Sequence, residues 1–208
     1  MANDFFSVYE LENTNFKVMD FTGKWLESFG RPEIYGAWII YGESFNGKTS
    51  FMTQLAKYLT EFIKNKVLIN SLEEGKSESL KLNIKRTNLS TVAEKILLGD
   101  RVPMDKVKER LKKQRSPEII IVDSLQYTDL DKEAYRQLRK EFAKKLWIFI
   151  SHADGKIPRG SLAKHLKNDA DVKIRVEGFK AFPESRYGGG EPFIIDHGRA
   201  AKYHAEIK

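Results

Sequence analysis

The chain has no cysteine among its 208 residues, which excludes disulfides, thiolate metal sites and a cysteine nucleophile. Long hydrophobic runs are also missing. Its longest apolar stretches fall far short of the roughly 20 residues that a membrane-spanning helix needs. The opening residues, Met1-Ala2-Asn3-Asp4, lack the basic stretch and apolar core of a secretion signal. There is no internal repeat and no low-complexity linker. Together these absences set the expectation of a soluble, cytoplasmic protein.

What is present is globular in character: 41% hydrophobic and 31% charged residues, in a length that suits one domain with a proper core. The net charge of +7 favours polyanionic partners through counterion release, although a solvated lysine-rich surface gives the same excess.

The most informative stretch is Gly42-Glu43-Ser44-Phe45-Asn46-Gly47-Lys48-Thr49, a G-x-x-x-x-G-K-T pattern. It lies between the apolar run Ala37–Tyr41 and a helical pattern starting at Ser50. Glycines let the backbone curl so that successive N–H groups face phosphate oxygens. Lys48 supplies a point charge to the outer phosphates, and the Thr49 hydroxyl suits Mg²⁺. The following helix adds the positive end of its dipole. Residues 42–50 are therefore expected to bind a nucleotide triphosphate.

Apolar spacing predicts a helix over about 50–64, with Phe51, Leu55, Tyr58, Leu59 and Phe62 on one stripe. Val67–Ile69 and Lys95–Leu98 read as short strands, and Pro103 as the start of a basic helix. Glu118–Asp123 and Leu146–Ile150 read as strands buried on both faces, with a helix over about 132–145 between them. Asp171–Val176 and Pro192–Ile195 read as antiparallel strands joined by the loop 185–190. Strands alternating with helices predict an α/β fold with a mostly parallel sheet and a C-terminal antiparallel extension. The aromatic-rich residues 1–30 are expected to form a packing or docking segment, and 31–208 the main domain.

Hydrolysis asks for more than a phosphate loop. Asp123, closing an aliphatic strand, is the candidate metal-site carboxylate alongside Thr49. Glu73 and Glu74 end the strand at 67–70, expected beside the nucleotide-bearing strand, and either suits a base that orients water. His152 ends the strand after that of Asp123 and suits sensing of the γ phosphate. Arg186, in the loop Ser185–Gly190, suits either a plain surface position or an arginine supplied to a neighbour's γ phosphate.

These pieces resemble the RecA-type P-loop ATPase core, nearest its DnaB helicase and RadA branches. The resemblance covers most of the chain from about residue 30. Val67-Leu68-Ile69-Asn70-Ser71-Leu72-Glu73 is similar to the helicase strand carrying the catalytic glutamate, which favours Glu73 over Glu74. Ile121-Val122-Asp123-Ser124-Leu125-Gln126 resembles the second nucleotide motif. Residues 159–166, running on to Val176-Glu177-Gly178, are similar to the RadA stretch around the DNA-facing loop. Ser185-Arg186-Tyr187-Gly188 resembles the lysine–asparagine–arginine–phenylalanine–glycine motif that the family uses across a subunit boundary. Glu184 replaces its lysine, and Lys180 is the candidate substitute.

The resemblance implies ATP and Mg²⁺ as cofactors, with Lys48, Glu73 and Arg186 catalytic. It implies a homo-oligomeric ring or filament acting on single-stranded DNA, in the manner of a helicase or a recombinase. Lys156, Arg159, Lys164, His165 and Lys167 are the expected DNA contacts, in a loop made flexible by Gly155 and Gly160. The alternative reading is an ATP-switched regulator or loader that docks a protein partner through the aromatic N-terminal segment.

Overall fold

The computed structural model describes residues 5–206, the side chain of Glu206 excepted. The first four residues of the segment 1–30 lie outside this range. Helices are α1 (Val8–Glu12), α2 (Gly23–Phe29), α3 (Lys48–Leu59), α4 (Glu78–Arg86), α5 (Met104–Leu111), α6 (Lys132–Glu141), α7 (Ser161–Asp169) and α8 (His197–Glu206). Strands are β1 (Gly36–Gly42), β2 (Val67–Ser71), β3 (Ile96–Asp100), β4 (Ile119–Asp123), β5 (Leu146–Asp154), β6 (Ile157–Pro158), β7 (Val172–Glu177), β8 (Lys180–Ser185) and β9 (Phe193–Ile194).

The sheet runs β3-β2-β4-β5-β1-β7-β8-β9, with β6 forming a small hairpin on β5. From β3 to β7 all neighbours are parallel; β8 and β9 then add antiparallel strands. This is a RecA-like P-loop fold, the α/β class that the alternating pattern implies.

Period-two alternation divides each central strand between two cores. Trp38 and Ile40 of β1, with Ile119 and Ile121 of β4, meet Phe51, Met52 and Leu55 of α3 on one face. Ile39, Tyr41, Ile120 and Val122 meet Val107 of α5, Leu138 of α6 and Leu166 of α7 on the other. Both faces are covered, which is why these strands read as unbroken apolar runs.

Four details differ from the sequence reading. Asp171–Val176 and Pro192–Ile195 are not partners: β8 lies between β7 and β9, and the loop 185–190 joins β8 to β9. Pro183 and the charged ends of Lys180–Ser185 hide that strand. The strand bearing Glu73 does not neighbour β1, since β4 and β5 intervene. Helix α6 stops at Glu141, short of residue 145. Residues 161–169 form helix α7, not part of a flexible loop.

The N-terminal segment divides in two. Met19, Phe21 and Phe29 are wholly buried, and Trp25 stacks on Tyr58 with ring centroids 4.7 Å apart. Helix α1 buries no residue, and Phe5, Phe6, Val8 and Tyr9 are exposed.

Candidate nucleotide-binding site

Because β1, β2, β4 and β5 are parallel, their C-terminal ends share one edge of the sheet. Register pairs Gly42 with His152 and Ser71 with Asp123, so the phosphate loop, His152, Asp123 and the Glu73 turn converge there. Glu73 N–H donates to the Asp123 carbonyl at 3.1 Å, tying the two acidic elements together. The result is a cavity of about 370 Å³ whose walls include Lys48, Thr49, Ser50, Glu73, Glu74, Asp123 and His152.

The loop has the shape a phosphate cradle requires. Gly47 sits at φ 103°, a conformation that strongly favours glycine, and starts α3. Phe45 also has positive φ and is 97% exposed. Asn46 pins the loop from within the extension: its side-chain oxygen accepts from Gly178 N–H at 2.7 Å, and its carbonyl from Phe179 N–H at 3.0 Å. Lys48 Nζ donates to the carbonyls of Gly42 (2.9 Å) and Glu43 (2.7 Å). Burial lowers the Lys48 ammonium below the usual lysine range, opposed by Asp123, Glu73 and Glu43. Ser50 Oγ donates to Asn83 Oδ1 at 2.9 Å, coupling α3 to α4.

Asp123 is almost fully buried, and its carboxyl is pushed up to about 7, first by burial and then by Glu73 and Glu74, with Lys48 opposing. A buried acid of this kind is held in readiness for a cation. Beside it, Ser124 Oγ is buried without a hydrogen-bond partner. Among the described residues no group of three or more His, Cys, Asp or Glu could hold a metal. Mg²⁺ at phosphate sites takes few protein ligands, with phosphate and water oxygens supplying the rest. Thr49, Asp123 and the unpartnered Ser124 hydroxyl fit that donor set.

Glu73 and His152 meet: imidazole Nε2 lies 3.2 Å from carboxylate Oε2. Glu74 instead turns toward Ser77, 3.4 Å from its hydroxyl. Gln126 links this end of β5 to the β6 hairpin. Its amide donates to Ser151 Oγ (2.8 Å) and the Arg159 carbonyl (3.0 Å), and its oxygen accepts from His152 N–H (3.2 Å). Glu43 reaches the same hairpin, accepting from Gly155 N–H at 3.2 Å.

Arg186 is not in this cavity. Ser185 pairs with Val172, which pairs with Trp38 near the start of β1, so Arg186 stands at the opposite edge of the sheet. There its exposed side chain lies 3.4 Å from Asp171. Lys180 begins β8 at the cavity edge, ~20 Å of strand away from Arg186, so it does not replace the lysine absent at Glu184.

The five expected DNA contacts are dispersed. Lys156 is exposed at the β5–β6 turn, while Arg159 is paired with Asp154 at 2.7 Å. Lys164, His165 and Lys167 stand on α7. Lys164 is exposed, His165 packs edge-on to Tyr135, and Lys167 lies 4.8 Å over the Tyr41 ring.

Sequence reasoning missed part of the wall: Ser79, Leu82, Asn83 and Arg86 from α4, Phe179 from the β7–β8 turn, and Arg199 from α8. The spacing of the first four, i, i+3, i+4 and i+7, would have identified one helix face had α4 been recognised.

Among solved structures, the chain is similar to the flagellar accessory protein FlaH of Methanocaldococcus jannaschii, at 16% identity and a TM-score of 0.63. That match covers 88% of this chain and 96% of FlaH. A second solved structure, an isolated ATPase domain, matches at 19% identity and a TM-score of 0.54, covering 76% of this chain and 80% of that one. A KaiC-like protein of Pyrococcus horikoshii OT3 matches at 16% and 0.55, covering 78% and 86%. At such identities the likeness establishes the fold. No curated protein matches by sequence. The family model for inactive STAND proteins matches residues 18–155, from the buried N-terminal aromatics through the phosphate loop and Asp123 to the end of β5, and the chain belongs to that family.

Proposed function

We propose that the cavity binds Mg-ATP and hydrolyses it. The observation that carries this reading is the gathering of Lys48, Thr49, Asp123, Glu73 and His152 at one sheet edge. The family is described as inactive, yet this chain keeps each residue type the reaction needs. Lys48 leaves its two loop carbonyls for phosphate oxygens. Thr49 and Asp123 hold Mg²⁺ and its water shell, and the ion supplies charge neutralisation at the phosphates. Glu73 orients the attacking water, and His152, in contact with Glu73, registers the γ phosphate.

In this reading Arg186 serves a neighbouring subunit in a ring or filament, since it stands opposite its own phosphate loop. Single-stranded DNA runs past Lys156 and Lys164, coupled to the nucleotide through Gln126 and Glu43. Residues 31–208 act as the ATPase domain. The DnaB- and RadA-like motifs support this assignment.

A second reading, an ATP-switched regulator acting on a protein partner, draws support from the family description and from the exposed Phe5, Phe6, Val8 and Tyr9. Steady-state ATPase with and without single-stranded DNA separates the two. Turnover that DNA stimulates, and that Lys48→Ala and Glu73→Gln each reduce at least ~100-fold, is expected. Undiminished turnover in either variant defeats the site assignment. Binding of ATP without turnover or DNA response favours the regulator. Mixing Arg186→Ala with Glu73→Gln restores activity if sites are shared between subunits.

A further inference from the structure

We infer that the cavity holds a nucleobase between two walls, Phe179 with Arg199 on one side and the α4 face bearing Leu82 and Arg86 on the other. This rests on the nucleotide reading above and deepens it. The phosphate loop and Lys48 account for only one end of the cavity. A nucleotide extends well beyond its phosphates, and the same cavity continues between these two walls.

The state of Phe179 is the strongest sign. It is a non-glycine residue at φ 58°, in the left-handed region, and its half-buried ring abuts the phosphate loop instead of joining either core. A Cβ on Gly47 would fall 2.9 Å from that ring. Backbone hydrogen bonds fix it from both sides: Phe179 N–H donates to Asn46 O at 3.0 Å, and Ile195 N–H donates to Phe179 O at 2.9 Å. Backbone strain held in place this way marks ligand clamps. The Arg199 guanidinium lies 5.2 Å from the ring centroid, so a cation and an aromatic face are already paired there.

The opposite wall complements it. Leu82 is an exposed apolar side chain, 49% accessible, on the helix face turned to the cavity. Arg86 stands one turn further on, its Nη1 3.4 Å from Asn83 Oδ1. That oxygen also accepts from Ser50, so Asn83 joins α4 to α3 and leaves the stacking surfaces to Leu82 and Arg86. Every base has a flat π face, and an aromatic ring with a guanidinium plane binds one through stacking.

Calorimetric titration with Mg-ATP and with Mg-tripolyphosphate, which has no base, tests the clamp. In Phe179→Ala and Arg199→Ala, affinity for ATP is expected to fall about tenfold while tripolyphosphate affinity is unchanged. Phe179→Leu, which keeps an apolar side chain at the same strained position, is expected to lose nearly as much. Equal loss for both ligands would place Phe179 in support of the loop and overturn the clamp, as would unchanged ATP affinity in both alanine variants. Failure of the unmodified protein to bind either ligand would instead refute the nucleotide reading itself.

Discussion

Asp123→Asn is expected to stabilise the nucleotide-free protein, and to do so in proportion to pH. The carboxyl is pushed up to about 7 in the fold against an ordinary value of 3.8. For a raised acid the contribution to stability is fully present below the unfolded value and is lost as pH rises through the folded one. Integrating between those values gives a penalty of about 1.7 kcal/mol near pH 5 and about 4 kcal/mol near pH 8. Asparagine removes the charge and keeps the volume. Its amide must find partners in a nearly closed site, so about half of the gain at high pH should survive. At this chain length that is a rise of roughly 4–8 °C in melting temperature near pH 8, shrinking to about 2 °C or less near pH 5. Thermal denaturation followed by circular dichroism at the two pH values measures it. Equal shifts at both pH values, or a loss of stability near pH 8, would refute the assignment of Asp123 as a buried, destabilising acid kept for a cation. In the same experiment Mg-ATP should raise the melting temperature of the unmodified protein and not of the variant.

Gly47→Ala forces a Cβ to 2.9 Å from Phe179 at φ 103°, so a loss of ~1–2 kcal/mol in urea denaturation is expected, together with weakened nucleotide binding. Removing residues through Thr14 should change stability by less than ~0.5 kcal/mol, because α1 buries nothing. Phe21→Ala, by contrast, empties a fully buried site ringed by Trp25, Trp38, Tyr58 and Phe62, and should cost about 3–5 kcal/mol in the same assay.

How much could be read in advance depended on how each element earns its place. Strands β1, β4 and β5 are buried on both faces, so their apolar runs are continuous and unmistakable. Helix α4 buries only Leu80, and α7 only Ala163 and Leu166, so neither shows a broad apolar stripe. Strand β8 carries Pro183, which argues against a ladder position, yet it accepts partners on both sides. Strand order is set by non-local packing, which is why Glu73 was expected beside β1 and stands two strands further away. The phosphate-end residues were nonetheless found, because parallel strands all finish at one edge and each ends on its chemistry. Phe179 and Arg199 escaped for the complementary reason. They come from an antiparallel turn and a terminal helix that reach the same edge from the other direction, where no motif marks arrival. That asymmetry has a functional consequence. The phosphate end is built from the family's motif positions, while the surfaces facing the rest of a ligand come from elements free to vary without disturbing the loop. What distinguishes this chain from its fold relatives therefore resides in the wall formed by α4, Phe179 and Arg199, and substitutions there should alter ligand choice before they alter the fold.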